Sequence, residues 1–271
     1  MTFLAFLKAM LSEDLTEIGF KYSKEKNDYG GPIWYKIVDD SVYLCLTARK
    51  LSYGDLKIYV GIHSLFSPLM SNFMFYEDLV DPYTQMVLSK GGNIGPVGIW
   101  LQRPDKDEAP DRYIALGKKC LALVKPVLSS VHDLESCFNA KQQLGYLGRY
   151  YYGKKWVGRE YTPDDYTEHP PEDPFFILFL LGRFEEAERY LHHNISDFAY
   201  IQRDASDLDR LIGMLKDELD PYIELIQQKK YDQIKEKMLE FYNKNCDWIE
   251  NNHRVVIDRS RGLSLLDSVH E

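Results

Sequence analysis

The side chains best placed to do chemistry fall on two neighbouring segments that alternate with a period of two. In the stretches 42–48 and 56–63 the even positions are apolar: Val42, Leu44, Leu46 and Ala48, then Leu56, Ile58, Val60 and Ile62. Successive side chains of a strand point to opposite faces, so Tyr43, Cys45 and Thr47 share the other face with Lys57, Tyr59, Gly61 and His63. Lys57 and His63 would contact an anion there, and Tyr43 and Tyr59 would supply contact area with a hydroxyl at its end. Tyr43, Lys57, Tyr59 and His63 thus form a candidate site for a small molecule or a peptide. A half-solvated antiparallel sheet shows the same mixture of Tyr, Thr and Lys without binding anything, and that plainer reading takes precedence. The phase predicts Leu46 and Ile58 inside the core and Tyr43 and Lys57 outside it.

Other chemistry-bearing segments are less specific. Gly145 to Arg159 interleaves aromatic and basic residues, as a platform for single-stranded nucleic acid does. The adjoining run from Glu160 to Asp173 contains acidic residues and no Lys or Arg, which would oppose a phosphate backbone. Aromatic packing between structural units is the preferred reading, not nucleic-acid binding. Gly91-Gly92-Asn93-Ile94-Gly95 is followed by no Lys-Ser or Lys-Thr and reads as a flexible loop, not a phosphate cradle. His192 and His193 are adjacent, so on a helix they point about 100° apart and cannot chelate one metal. His132, His169, His253 and His270 have no partner at metal spacing, and no Gly-x-Ser-x-Gly occurs. Cys45, Cys120, Cys137 and Cys246 lie far apart and read as buried free thiols. The expectation is therefore no catalytic set, no metal and no cofactor; an enzyme would need a discontinuous site assembled by folding.

Charge gives the clearest functional signal. The 271 residues include 33 Lys plus Arg and 42 Asp plus Glu, for a net charge of -9. Residues 1–150 hold 17 basic and 17 acidic side chains, whereas residues 151–271 hold 16 and 25. Between Glu160 and Glu224 the ratio is 17 acidic to 5 basic, an excess that repels nucleic acid and attracts a basic protein. Asp207, Asp209, Asp217 and Glu218 are the carboxylates expected to meet such a partner, since Leu208, Leu211, Ile212 and Leu215 form the inward stripe of the same segment. The longest apolar run, Phe175 to Leu181, is far shorter than the roughly 20 residues a membrane-spanning helix needs. With no basic leader before the first apolar residues, a cytoplasmic protein is expected.

The elements that must position these residues indicate an α+β fold: an N-terminal helix packed on an antiparallel sheet, followed by a mainly α-helical C-terminal half. Phe3, Leu7, Met10, Leu11, Leu15 and Ile18 recur at helical spacing, and Gly19 ends that helix. Strands follow around Ile33–Ile37, Val42–Ala48 and Leu56–Ile62, with another at Ile99–Gln102; Pro68 and Pro82 punctuate a partly helical piece between them. Helices are expected from Asp111 toward Pro126 and from Val131 to Leu147. The chain divides into an α+β unit over 1–149, a Pro- and Gly-rich connector over 150–174 and a helical unit over 175–271. Within the last, Pro221 is expected to divide one helix, and another runs from Tyr231 to Ile249. Two of its segments, Gly182–Leu191 and Lys229–Met238, share an aromatic, a small or apolar residue three later and an apolar one four after that. Two copies do not by themselves make a solenoid.

The opening module also carries a resemblance. Leu15-Thr-Glu-Ile-Gly-Phe-Lys21, Trp34-Tyr35, the strand Val42 to Lys50 and the strand Leu56-Lys-Ile-Tyr-Val-Gly-Ile-His-Ser64 resemble a bacterial domain-of-unknown-function family, number four thousand three hundred and four. The resemblance covers the first half of the chain and implies a helix ending in Gly-Phe followed by strands. Some relatives of such domains occur beside polymorphic toxins, which implies an immunity role against a toxin such as a nuclease. The family supplies no catalytic residues to carry over.

Overall fold

The computed structural model describes residues 3–26, 32–50, 56–67, 86–89, 92–95, 98–101, 110–141, 172–201 and 208–269. Helix α1 (Phe3–Glu17) buries Leu7, Met10, Leu11 and Leu15, and Gly19 closes it at a φ of 88°. The Gly19 N–H donates to the Thr16 carbonyl and the Phe20 N–H to that of Leu15, a termination that needs the left-handed backbone glycine adopts freely. Seven strands follow: β1 (Lys21–Lys26), β2 (Pro32–Val38), β3 (Val42–Lys50), β4 (Leu56–Ser64), β5 (Met86–Ser89), β6 (Gly92–Gly95) and β7 (Gly98–Leu101). They make one antiparallel sheet in the order β1-β2-β3-β4-β7-β6-β5, so two consecutive meanders join where β7 pairs β4. The flexible loop expected at Gly91–Gly95 is corrected here. Gly92–Gly95 is a strand paired on both sides, and its glycines hide it from any propensity-based reading.

Helices α2 (Pro110–Ser130), α3 (134–141), α4 (Glu172–Leu180), α5 (Phe184–Ile201), α6 (Leu208–Gln227), α7 (Tyr231–His253) and α8 (Arg259–Asp267) complete the described chain. The fold is the expected one, a helix and an antiparallel sheet followed by a mainly helical half. Neither internal proline breaks its helix: α2 continues past Pro126 and α6 past Pro221. Both prolines are exposed, as are Ala122 and Asp217 four residues earlier, so water can take over the carbonyls that the missing N–H groups leave. Residues 172–174, assigned above to the connector, open α4, where Pro174 sits in the first turn; the rest of that connector and the piece around Pro82 lie outside the described residues. Among the described residues no helix is long and apolar enough to cross a membrane.

The sheet is covered on both faces near β1–β3. On the even-numbered face, Trp34 donates from its ring nitrogen to Ser12 of α1 at 3.3 Å. Helix α2 lies against α1, with Gly117 at Met10 and Lys125 bridging Asp14 and Glu17. On the odd-numbered face lies α7, whose buried stripe is Ile234, Met238, Tyr242, Asn245, Cys246, Ile249 and His253. The consequence is that Val42 to Thr47 are buried without exception. Leu46 is in the core as expected; Tyr43 is there too, and this corrects its assignment to a solvated face. Strand phase was right, but a helix some 200 residues later removes the second face from water.

Helix α8 latches α7 to the turn between β2 and β3. Arg261 pairs with Asp39, and Tyr242 donates its hydroxyl to the Asp40 carbonyl at 3.0 Å. Asp39 and Asp40 have φ values of 49° and 48°, a conformation that costs an L-residue roughly 1–2 kcal/mol. Gly262 of α8 sits on the Tyr242 ring so closely that an added Cβ would fall 2.2 Å from it. Gly262→Ala is therefore expected to cost about 1–3 kcal/mol of unfolding free energy. Gly213→Ala, in the interior of α6 with no atom within 4 Å of an added Cβ, should gain roughly 0.5–1 kcal/mol. Urea denaturation of the two variants checks both signs.

Candidate functional site

The face singled out for binding is where α7 meets the sheet. In the observed register Tyr43 lies opposite His63, Cys45 opposite Gly61 and Thr47 opposite Tyr59. Across the neighbouring strands the same face carries Tyr35 of β2, opposite Cys45, and Ser23 of β1, opposite Ile33. Tyr43 has no exposed surface, and His63 retains 8%. Lys57 and Tyr59 occupy β4, but their side chains lie outside the described residues.

His253, the last helical residue of α7, is inserted among these groups. Its ring stacks on Tyr35 with centroids 4.0 Å apart and an interplanar angle of 8°, lies parallel to Tyr43 at 5.7 Å, and meets the edge of Trp248 at 5.6 Å. Its Nε2 lies 2.7 Å from the Tyr43 hydroxyl and its Nδ1 lies 3.0 Å from Ser23 Oγ. Either neutral tautomer satisfies both bonds, one nitrogen donating and the other accepting. Burial pulls the imidazole pKa down to about 4 and pushes the Tyr43 hydroxyl well above its usual value, so both are neutral near pH 7.

A serine hydrogen-bonded to a histidine is the pairing a nucleophile and its base make. Here, however, Ser23 is 4% exposed and His253 8%, beneath α7 and its rings. The arrangement acts as a pin between helix and sheet. Two further side chains extend it: Asn245 donates to the carbonyls of Leu65 and Ser67, each at 2.8 Å, and Tyr242 reaches Asp40 as above. Lys141 of α3 is also buried and donates to the Ile62 carbonyl at 2.6 Å.

The thiols conform to the reading of buried free cysteines at Cys45, Cys137 and Cys246, with the Cys120 side chain outside the described residues. Burial raises the Cys45 thiol well above its ordinary pKa and the Cys246 thiol to about 11, which suppresses the reactive thiolate. Among the described residues, no group of three or more His, Cys, Asp or Glu side chains is arranged to hold a metal ion. No protein-family model, no curated protein and no solved structure matches the chain. The resemblance of the opening module rests on its own residues alone.

The carboxylates separate into two groups. Asp217 is exposed on α6. Asp207 lies outside the described residues, and Asp209 and Glu218 are on α6 with side chains outside them. Asp220 and Glu224, not singled out from sequence, are exposed on the same helix, three and seven residues after Asp217. The cluster around His253 was also missed. Continuing the α7 stripe four residues beyond Ile249 reaches His253 and would have placed it on the buried side.

The pin has a pH signature. The folded pKa of His253, about 4, lies below the unfolded value near 6.5, so between these limits the unfolded chain binds the extra proton. Its contribution is complete above about pH 6.5 and is lost as pH falls through 4, amounting to about 3 kcal/mol. His253→Gln should lower stability at pH 7 and flatten the pH 4–6.5 segment of the curve relative to the parent chain. Urea unfolding of both proteins across that range measures the difference.

Proposed function

We propose that the protein is a non-enzymatic, cytoplasmic interaction module that binds a basic protein partner through the outer face of α6. The observation that carries this reading is the acidic stripe of Asp217, Asp220 and Glu224. All three project into water, while Leu219, Ile223 and Ile226 of the same helix are buried. The stripe lies within the segment that holds 17 acidic and 5 basic residues, so its field is reinforced over many neighbours. Single exposed charges contribute about 1 kcal/mol or less; together they accelerate encounter and select partners of opposite sign. The resemblance of residues 15–64 points further, to a toxin as the basic partner and an immunity role for this chain.

The alternative of a ligand on the sheet face around His63 loses support from the burial of Tyr43 and His63 beneath α7. An enzyme with a discontinuous site finds no support in the buried Ser23–His253 contact.

Pull-down from the native host followed by kinetics on the purified partner tests the proposal. The triple variant D217N/D220N/E224Q should melt with the parent protein but associate about tenfold more slowly at low salt, with little change in dissociation. High salt should remove most of the difference. An unchanged association rate, or an acidic partner, would contradict the proposal.

A further inference from the structure

We infer that residues 175–191 and 222–238 are two copies of one helical-hairpin unit, set 47 residues apart and stacked on each other through equivalent aromatic side chains. The turns correspond bond for bond. In the first, Leu181, Gly182 and Arg183 donate to the carbonyls of Ile177, Phe179 and Leu178 at 3.0, 3.0 and 2.9 Å. In the second, Gln228, Lys229 and Lys230 donate to those of Glu224, Ile226 and Leu225 at 3.0, 3.1 and 2.8 Å. Gly182 and Lys229, at equivalent positions, both have positive φ, 70° and 53°.

A left-handed residue closing a helix is common, so matched turns alone would establish little. Three further correspondences do not follow from a shared terminator. The next helix begins two residues after the left-handed position in both units, on an aromatic, Phe184 or Tyr231. Buried positions also match: Phe176 with Ile223, Phe179 with Ile226, Ala187 with Ile234 and Leu191 with Met238. Finally, equivalent residues meet one another, as they do when repeats stack. Phe184 stacks on Tyr231 with centroids 4.4 Å apart, and Phe175 contacts Tyr222 at 5.4 Å.

Where the copies diverge, the divergence has a direction. Buried Ile177 and Leu180 of α4 correspond to exposed Glu224 and Gln227 of α6. A polar outer face in place of an apolar one is what the terminal unit of a helical array requires. The inference is independent of any partner, because it concerns only how the two hairpins are related.

Insertion of a third unit tests it. Residues 182–228 would be duplicated directly after Gln228 in the full chain, and the product compared with the parent by circular dichroism and limited proteolysis. Two stacked copies predict a folded protein with a larger helical signal and an insert as protease-resistant as its neighbours. An insert that is cleaved at once and adds no helix would overturn the inference. Should the longer chain not fold, a reciprocal exchange of the turn residues 181–184 and 228–231 decides. Equivalent turns predict that the doubly exchanged chain melts close to the parent, whereas loss of the cooperative transition would overturn the inference.

Discussion

The structure depends on one docking contact, that of α7 on the odd-numbered face of the sheet. That face carries Ser23 and Tyr43, polar groups that cost about 1–3 kcal/mol each if buried without hydrogen bonds. Helix α7 makes their burial tolerable because it brings polar groups of its own. His253 satisfies Ser23 and Tyr43, Asn245 takes the carbonyls of Leu65 and Ser67, and Tyr242 takes that of Asp40. Because each bond has one geometric solution, the set fixes the position of the helix along the sheet, which apolar contacts alone would specify less sharply. Burial lowers the imidazole pKa to about 4, so near pH 7 the ring is neutral and the contact places no charge between helix and sheet.

With α7 in place, this face of the sheet is committed to structure. The latch by α8 follows the same logic: Arg259 bridges Asp247 and Glu250 of α7, while Arg261 holds Asp39 of the β2–β3 turn. These partly exposed ion pairs add little energy individually but define where the last helix rests. Helix α6 buries its apolar stripe and turns carboxylates outward. One part of the chain thus spends its polar groups internally, and another presents them to solvent.

Local features of the fold were legible in the sequence, and long-range ones were not. The period-two runs gave the phase of β3 and β4 correctly, and Gly19 gave the end of α1, because each signal lies within a few residues of the element it marks. What those runs could not show is that Tyr43 would be covered by His253, a residue 210 positions away. Nothing near Tyr43 distinguishes a solvated Tyr and Thr face from one buried under a helix that carries its own polar partners. The strand Gly92–Gly95 was hidden by glycine, and the continuity of α2 and α6 by Pro126 and Pro221, residues whose usual effect was offset by solvent exposure. The acidic character of α6 was readable, but the choice among its carboxylates required knowing which side is wet. Helix α8 did leave a trace, since Asp258 caps it by accepting from the Ser260 N–H, a short-range signal that was overlooked.

Sheet and helical half share one core through α7. Native-state amide hydrogen exchange tests it most directly, by comparing the opening free energies of β3 amides with those of α7 between Tyr242 and Ile249. The docking described here predicts that the two sets open together, at the free energy of global unfolding, and that His253→Gln lowers both by the same amount. Exchange of α7 through a separate, lower-energy opening that leaves β3 fully protected would contradict it.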